Sequence, residues 1–336
     1  MDTGGALMEA YYGLFVYVLT LLIMGGIYSV LTLGLNIQWG FTGLFNAGIA
    51  GFFAVGAYVQ AILTTPVFAR HLGGYEWPIP VAMALAMLLS AAVGWAVARI
   101  CIRLRADYLA IATIGIAEII RLTFKNEAWA TNGPRGISQI PRAFSGLPQP
   151  YDLLAFLGMI AALVGLIYWL LERARTSPWG RVMTAIRENE QAAAAAGKDV
   201  ERFRLEAFVL GSALMGLAGA LMAQYLRQID PNVFEPLTGT FLVWVMLIAG
   251  GSANNRGAIL GAVLIWSLWS ATELVTSRLP DDFAIRTAYV RVFLIGLVLQ
   301  VILQFRPQGI LPERRPSLKP RAGRASPAEK TGSQAI

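Results

Sequence analysis

The sequence predicts an all-α, polytopic integral membrane protein with about eight transmembrane helices, eight to ten being the range, and with Gly-interrupted helices in both halves. Three observations predict it. Hydrophobic residues make up 56% of the 336 residues. Charged residues make up only 14%, against roughly 25% in an average globular domain. Apolar runs of about 20 residues, the length that crosses a bilayer as a helix, recur along the chain. Lipid offers a backbone amide no partner, so such runs cross as internally bonded helices. The same composition excludes a soluble globular protein, a coiled coil, a collagen and a disordered chain.

Taken in order, residues 1–11 carry Asp2 and Glu9, and no Lys or Arg precedes Arg70. A cleaved signal peptide needs a positive start, so the first apolar run is expected to stay as a helix. The expected spans are 12–35, 44–65, 78–98, 106–124, 151–171, 205–226, 238–252, 257–276 and 286–305. The run 238–252 is short and the stretch 40–57 is Gly-rich, which leaves a re-entrant segment open. With the N-terminus outside, the inside loops 99–105, 172–204 and 253–256 and the tail hold 18 Lys/Arg. The outside loops 66–77, 125–150, 227–237 and 277–286 hold 7. That asymmetry sets the orientation, because cytoplasmic loops carry the excess of basic residues. Residues 12–305 are then the membrane domain, with 172–204 as its long cytoplasmic loop. The tail 306–336 has seven Lys/Arg, two Glu and Pro312, Pro316, Pro320 and Pro327. We expect it to be cytoplasmic and disordered, its charge serving an anionic leaflet and not a nucleic acid.

Chemistry on this chain is constrained by what is scarce. One cysteine, Cys101, and one histidine, His71, exclude a disulfide framework and a Cys-based zinc site. There is no Gly-x-x-x-x-Gly-Lys-Ser/Thr run to cradle ATP, and no base–nucleophile constellation. We therefore expect no catalytic, cofactor or metal residues. In the loop 172–204, Ser177-Pro178 reads as an N-cap followed by Pro at the first helical position. Trp179, Val182, Met183 and Ile186 form an apolar stripe, with Arg181, Arg187, Glu188 and Glu190 on the other positions. Ala192 to Ala196, including Ala193 and Ala194, extend the helix, and Gly197 ends it. One helix over 178–196 is expected. The pattern fits a helix resting on headgroups, or a docking helix whose small face admits a partner protein.

Within the spans, Gly43, Ala47 and Gly51, and again Ser212, Gly216 and Ala220, read as small-residue ridges for close helix packing. Asn36, Gln38, Thr42 and Asn46 gather where the first ridge begins. Polar groups beside an interrupted helix are what a transporter uses to expose backbone to a substrate, so these four are candidates for a translocation pathway. A second Gly-interrupted place, 250–261, suggests a two-fold internal repeat. Glu118 and Arg121 lie inside the span 106–124, with Glu118 about 17 Å from Asp107 at about 1.5 Å per residue. Ionisable groups at that depth are pathway candidates. Their spacing equally suits an i,i+3 ion pair within one helix.

Several stretches together resemble a known family. They are GLNIQWGFTGLFNAGIAGFFAVGAY at 34–58, ADYLAIATIGIAEIIRL at 106–122 and TNGPRGI at 131–137. In the C-terminal half they are SPWGRVMTAIRENEQAAAAAGKDVERFRLEAFVLGSALMGLAGAL at 177–221, GGSANNRGAILGA at 250–262 and FRPQGIL at 305–311. The chain resembles the LivM-type membrane permease of bacterial ABC importers for branched-chain amino acids. The resemblance runs from about 12 to 311. It implies an inner-membrane permease, whose N-terminus the charge count puts on the periplasmic side, and no cofactor on this chain. It also implies a second homologous permease subunit, two cytoplasmic ATP-binding subunits that hydrolyse the ATP, and a periplasmic substrate-binding protein. It marks 177–197 as the coupling segment that meets an ATPase. Urea, short amides and aromatic acids are alternative substrates of this class. An ion-coupled secondary transporter is the alternative from another class, with Glu118 as its candidate ion site.

Overall fold

The structure, a computed structural model, describes residues 3–67, 71–276 and 284–313. The long helices are α1 (Thr3–Leu35), α2 (Ile49–Thr64), α3 (Ile79–Cys101) and α4 (Ala106–Asn126). After the short α5 (Ala128–Thr131) come α6 (Tyr151–Thr176), α7 (Pro178–Glu188), α8 (Glu190–Ala195) and α9 (Val200–Leu226). The chain continues with α10 (Leu242–Gly250), α11 (Asn255–Thr276) and α12 (Ala284–Phe305). Every expected span coincides with a helix, and counted one by one among the described residues these helices are nine. Among the described residues, four stretches are long and apolar enough to cross a membrane by length and composition: Tyr11–Phe41, Ile79–Cys101, Tyr151–Thr176 and Val200–Leu226. Ile49–Thr64, Leu237–Gly250 and Val292–Phe305 are shorter apolar helices. The expected disordered tail lies outside the described residues from 314 on.

The bundle is centred on α1 and α9. Helix α9 packs against α1, α2 and α3, and α1 packs against α6 and α11. Small residues permit this, since lipid tails give helices no hydrophobic reason to associate and close backbone contact must supply the attraction. A methyl group at Gly216 would collide with Ser90 of α3, and one at Gly56 of α2 with the Gly216 backbone. The ridge expected at Ser212, Gly216 and Ala220 is therefore a contact ridge, each residue buried.

The other ridge is corrected. Gly43 and Ala47 lie in a non-helical stretch before α2 and share no helix face with Gly51. Gly43 has φ +73°, a left-handed conformation that suits glycine, and it turns the chain out of α1. The helix α1 ends in a π-helical turn, Asn36–Phe41, and a second π turn, Leu237–Phe241, leads into α10. Such turns are rare and recur at functional sites.

At the far end of α9 the two connecting stretches join. The strand β1 (Ile137–Ser138) pairs antiparallel with β2 (Gln228–Ile229), Ile137 opposite Ile229. The TNGPRGI stretch is the turn before β1, closed by Asn132 Nδ2 donating to the Gly136 carbonyl at 2.8 Å. Arg142 forms an ion pair with the buried Asp152 at the start of α6.

Candidate functional site

Between the two π turns lies a cavity of about 450 Å³. Trp39, Phe45 and Ala50 line it from the first broken helix, and Thr240, Phe241 and Trp244 from the second. Ile114 and Glu118 of α4 and Leu299 of α12 complete the wall. Trp244 packs edge to face against Trp39 and Phe45, which are tilted against each other, with ring centroids 4.6–5.3 Å apart. Such tilted pairs are the favoured geometry, since ring edges are positive and faces negative. The wall is apolar and aromatic, with Glu118 as its carboxylate. Small-molecule sites have this character and occupy roughly 300–1,000 Å³.

The four polar candidates do not line this cavity. Asn36, Gln38, Thr42 and Asn46 are buried, and all are used to hold the broken helix in shape. Gln38 Nε2 donates to the Phe208 carbonyl of α9 at 2.9 Å, and Gln38 Oε1 accepts from Asn46 Nδ2 at 2.8 Å. Asn46 Oδ1 in turn accepts from the Gly48 amide at 2.8 Å. Thr42 Oγ1 donates to the Gln38 carbonyl at 2.5 Å. Asn36 reaches the other break: its Oδ1 accepts from the Ala253 amide at 2.8 Å and its Nδ2 donates to Asn255 Oδ1 at 3.0 Å. A non-helical stretch frees backbone groups that must find partners in a membrane, and these side chains supply them. Polar satisfaction here is the scaffold of the cavity wall. Trp244 Nε1 bonds to the Asn46 carbonyl at 3.2 Å and so ties the aromatic wall to the same scaffold.

Glu118 faces the cavity and is held by Arg121 of its own helix, at 2.5 and 2.9 Å. The ion pair and the cavity position therefore coexist in one residue.

The segment after α6 is built at the other end of the bundle from β1 and β2. Ser177 accepts from the Gly180 amide at 3.4 Å, the expected N-cap of α7. Met183 and Ile186 are buried and Trp179 is half-buried, its Nε1 donating to Glu206 at 2.8 Å. The expected single helix over 178–196 is corrected to two. Asn189 is extended, with φ −155° and ψ 101°, and its side chain caps Ala192 N at 2.9 Å. Asparagine competes with the helix by bonding backbone locally, and here the competition wins. Glu188, Ala194 and Gly197 are exposed and Ala193 is buried. Arg187 turns inward: it donates to the Gly40 carbonyl and to both oxygens of Glu313, the latter at 2.8 and 2.9 Å.

Reasoning from sequence missed Trp39, Phe45, Trp244, Asn255 and Glu313. The signal available was Phe45 inside the Gly-rich stretch 40–57, Trp39 at its edge and an Asn pair in GGSANNRG, while nothing local marked Trp244 or Glu313.

Comparison with known proteins follows the same lines. A profile of the family described as "Branched-chain amino acid transport system / permease component" matches residues 17–303. The high-affinity branched-chain amino acid transport system permease protein LivM of Salmonella typhimurium is 34% identical over 322 residues, covering 89% of this chain and 71% of that protein. A probable LivM of Methanocaldococcus jannaschii is 27% identical over 321 residues, 88% of this chain and 93% of the relative. The LivH permease of Escherichia coli is 22% identical over 294 residues, 85% and 93% of the two chains. No solved structure matches.

Proposed function

The chain belongs to the permease components of branched-chain amino acid transport systems, and from that premise we propose that it is the membrane permease subunit of an ABC importer carrying branched-chain or related small amino acids inward. The carrying observation is the cavity between the two broken helices, apolar and aromatic with one carboxylate on its wall. An aliphatic side chain suits the aromatic wall, and Glu118 suits an ammonium group. We read the cavity as this subunit's share of the pathway. A second homologous permease completes the pathway. A periplasmic binding protein delivers the amino acid, and two cytoplasmic ATP-binding subunits hydrolyse ATP. On this reading the α7–α8 end is cytoplasmic and the β1–β2 end periplasmic, in the bacterial inner membrane.

The test is uptake by proteoliposomes holding this chain with its partner chains. Wild-type uptake should require ATP inside and ignore proton and sodium gradients. Ile114→Trp places a large ring in the cavity from an exposed position of α4. It should lower uptake by about tenfold or more, the scale of overpacking a tight site, while the ATP-binding subunit still co-purifies. Competition among leucine, phenylalanine, urea and acetamide then ranks the substrate classes. Uptake that follows an ion gradient without ATP would remove the ABC reading.

A further inference from the structure

Arg187 is in the segment 177–197, which the family resemblance marks as meeting an ATPase, yet its side chain faces the membrane domain. One guanidinium nitrogen donates to the carbonyl of Gly40, inside the first π turn. Gly40 follows Trp39, which is in the cavity wall. The other terminal nitrogen holds both oxygens of Glu313 at 2.8 and 2.9 Å. Glu313 follows residues 310–312, which lie along the second break. The Ile310 and Leu311 amides donate to the Ala249 and Gly250 carbonyls at 2.9 Å each. Asn254 Nδ2 donates to the Leu311 and Pro312 carbonyls at 3.2 and 3.0 Å. One side chain on α7 thus grips both interrupted helices, the first directly and the second through residues 310–313.

The surroundings favour this grip. Gly43 passes so close beneath Arg187 that a Cβ there would lie 3.3 Å from Arg187 Cγ. The Arg187 side chain is 21% exposed and that of Glu313 28%. The breaks are also bonded to each other through Asn36 and the Ala253 amide at 2.8 Å, so a displacement of one carries the other. On the outward side of the α7–α8 pair, Arg181 and Ala185 are exposed along a groove that Ala196 and Lys198 also line. The two faces of this pair therefore differ: one open to a partner, one bonded to the cavity scaffold.

We propose that Arg187 is the positioning residue that transmits movement of the α7–α8 pair to the two broken helices and so to the cavity wall. The planar fork of arginine suits the task, because separate donors hold a carbonyl and a carboxylate at once. A lysine at this place offers a single point charge. The inference rests on the reading of α7–α8 as the ATPase contact.

The test uses the whole importer in proteoliposomes, with wild type, Arg187→Lys, Arg187→Ala and the charge swap Arg187→Glu with Glu313→Arg. Three quantities are read: co-purification of the ATP-binding subunit, ATP hydrolysis stimulated by loaded binding protein, and amino acid taken up per ATP hydrolysed. The last ratio does not depend on how much protein folds. Co-purification should be retained in both single variants. Uptake per ATP should fall about tenfold or more in each, the scale of one lost charge-assisted hydrogen bond. The swap should stay low, because a carboxylate at position 187 has no donor for the Gly40 carbonyl. Restoration by the swap would make the pair a structural salt bridge and overturn the inference. So would an unchanged ratio in Arg187→Ala, or loss of the ATP-binding subunit in Arg187→Lys. If wild type neither co-purifies with an ATP-binding subunit nor needs ATP, the function proposed above fails first, independently of Arg187.

Discussion

Asn36 uses both ends of its amide on the opposite break, accepting from the Ala253 amide and donating to Asn255. It is fully buried, and Asn255 passes the chain of bonds on to Glu172 at 3.1 Å. Removing one partner from such a network leaves the other desolvated, at a cost of about 1–3 kcal/mol. Asn36→Ala should therefore lower thermal stability of the detergent-purified chain by that order, while a substitution at exposed Ile100, facing away from the network, leaves it unchanged. Equal melting temperatures for Asn36→Ala and wild type would mean that the two breaks are held together by helix packing alone. The role of Asn36 was half legible in the sequence. Its polarity inside an apolar run marked it as special, but its partners lie 217 and 219 residues away. Pairing of that kind is settled by tertiary approach, which no local pattern encodes. The pathway reading of Asn36, Gln38, Thr42 and Asn46 came from polarity. The aromatic residues of the cavity wall, interleaved with them, look like ordinary core in a sequence this apolar.

Helices were the most legible element, because the bilayer enforces both their length and their internal hydrogen bonding. Breaks within them were legible where glycine gathers, at 40–57 and 250–261. The break at Asn189 was not, since five alanines follow it and propensity alone extends the helix across. That break redraws the docking face. A continuous helix points to Ala193 and Ala194, whereas the bent pair makes a groove lined by Val182, Ala185, Ala193 and Ala196. Ala193 is buried beneath it, and Ala185 is exposed on it. Ala185→Trp should hold a docked ATP-binding subunit away. Overpacking a tight contact costs about 1–3 kcal/mol, or roughly a 5- to 150-fold loss of affinity. The measurement is co-purification at matched expression, with membrane insertion checked in parallel. If the pair rests on headgroups instead, tryptophan favours that interface and co-purification stays intact.

At the scale of the whole molecule, charge and contact point to the same division of ends. The stretches 172–204, 253–256 and the start of the tail hold 11 Lys/Arg, the last three being Arg306, Arg314 and Arg315. In the structure the first two meet the described part of the third at one place, through Asn255 to Glu172, Asn254 to Leu311 and Arg187 to Glu313. The stretches 125–150 and 227–237 hold four Lys/Arg. They meet at the other end, where β1 pairs with β2. Loops that touch lie on one side of a membrane, so the contacts group them as the charge count does, by an independent route. On the proposed orientation the more basic end is the cytoplasmic one, since cytoplasmic loops carry the excess of Lys/Arg. Reporters fused after Arg175 and after Arg315 should both read cytoplasmic, and one fused after Gly136 should read periplasmic. Because β1 and β2 are hydrogen-bonded partners, a reporter after Arg227 must agree with the one after Gly136. Disagreement between those two would break the pairing of the strands. A shared cytoplasmic reading would invert the molecule and carry the α7–α8 pair to the side where no ATP-binding subunit waits.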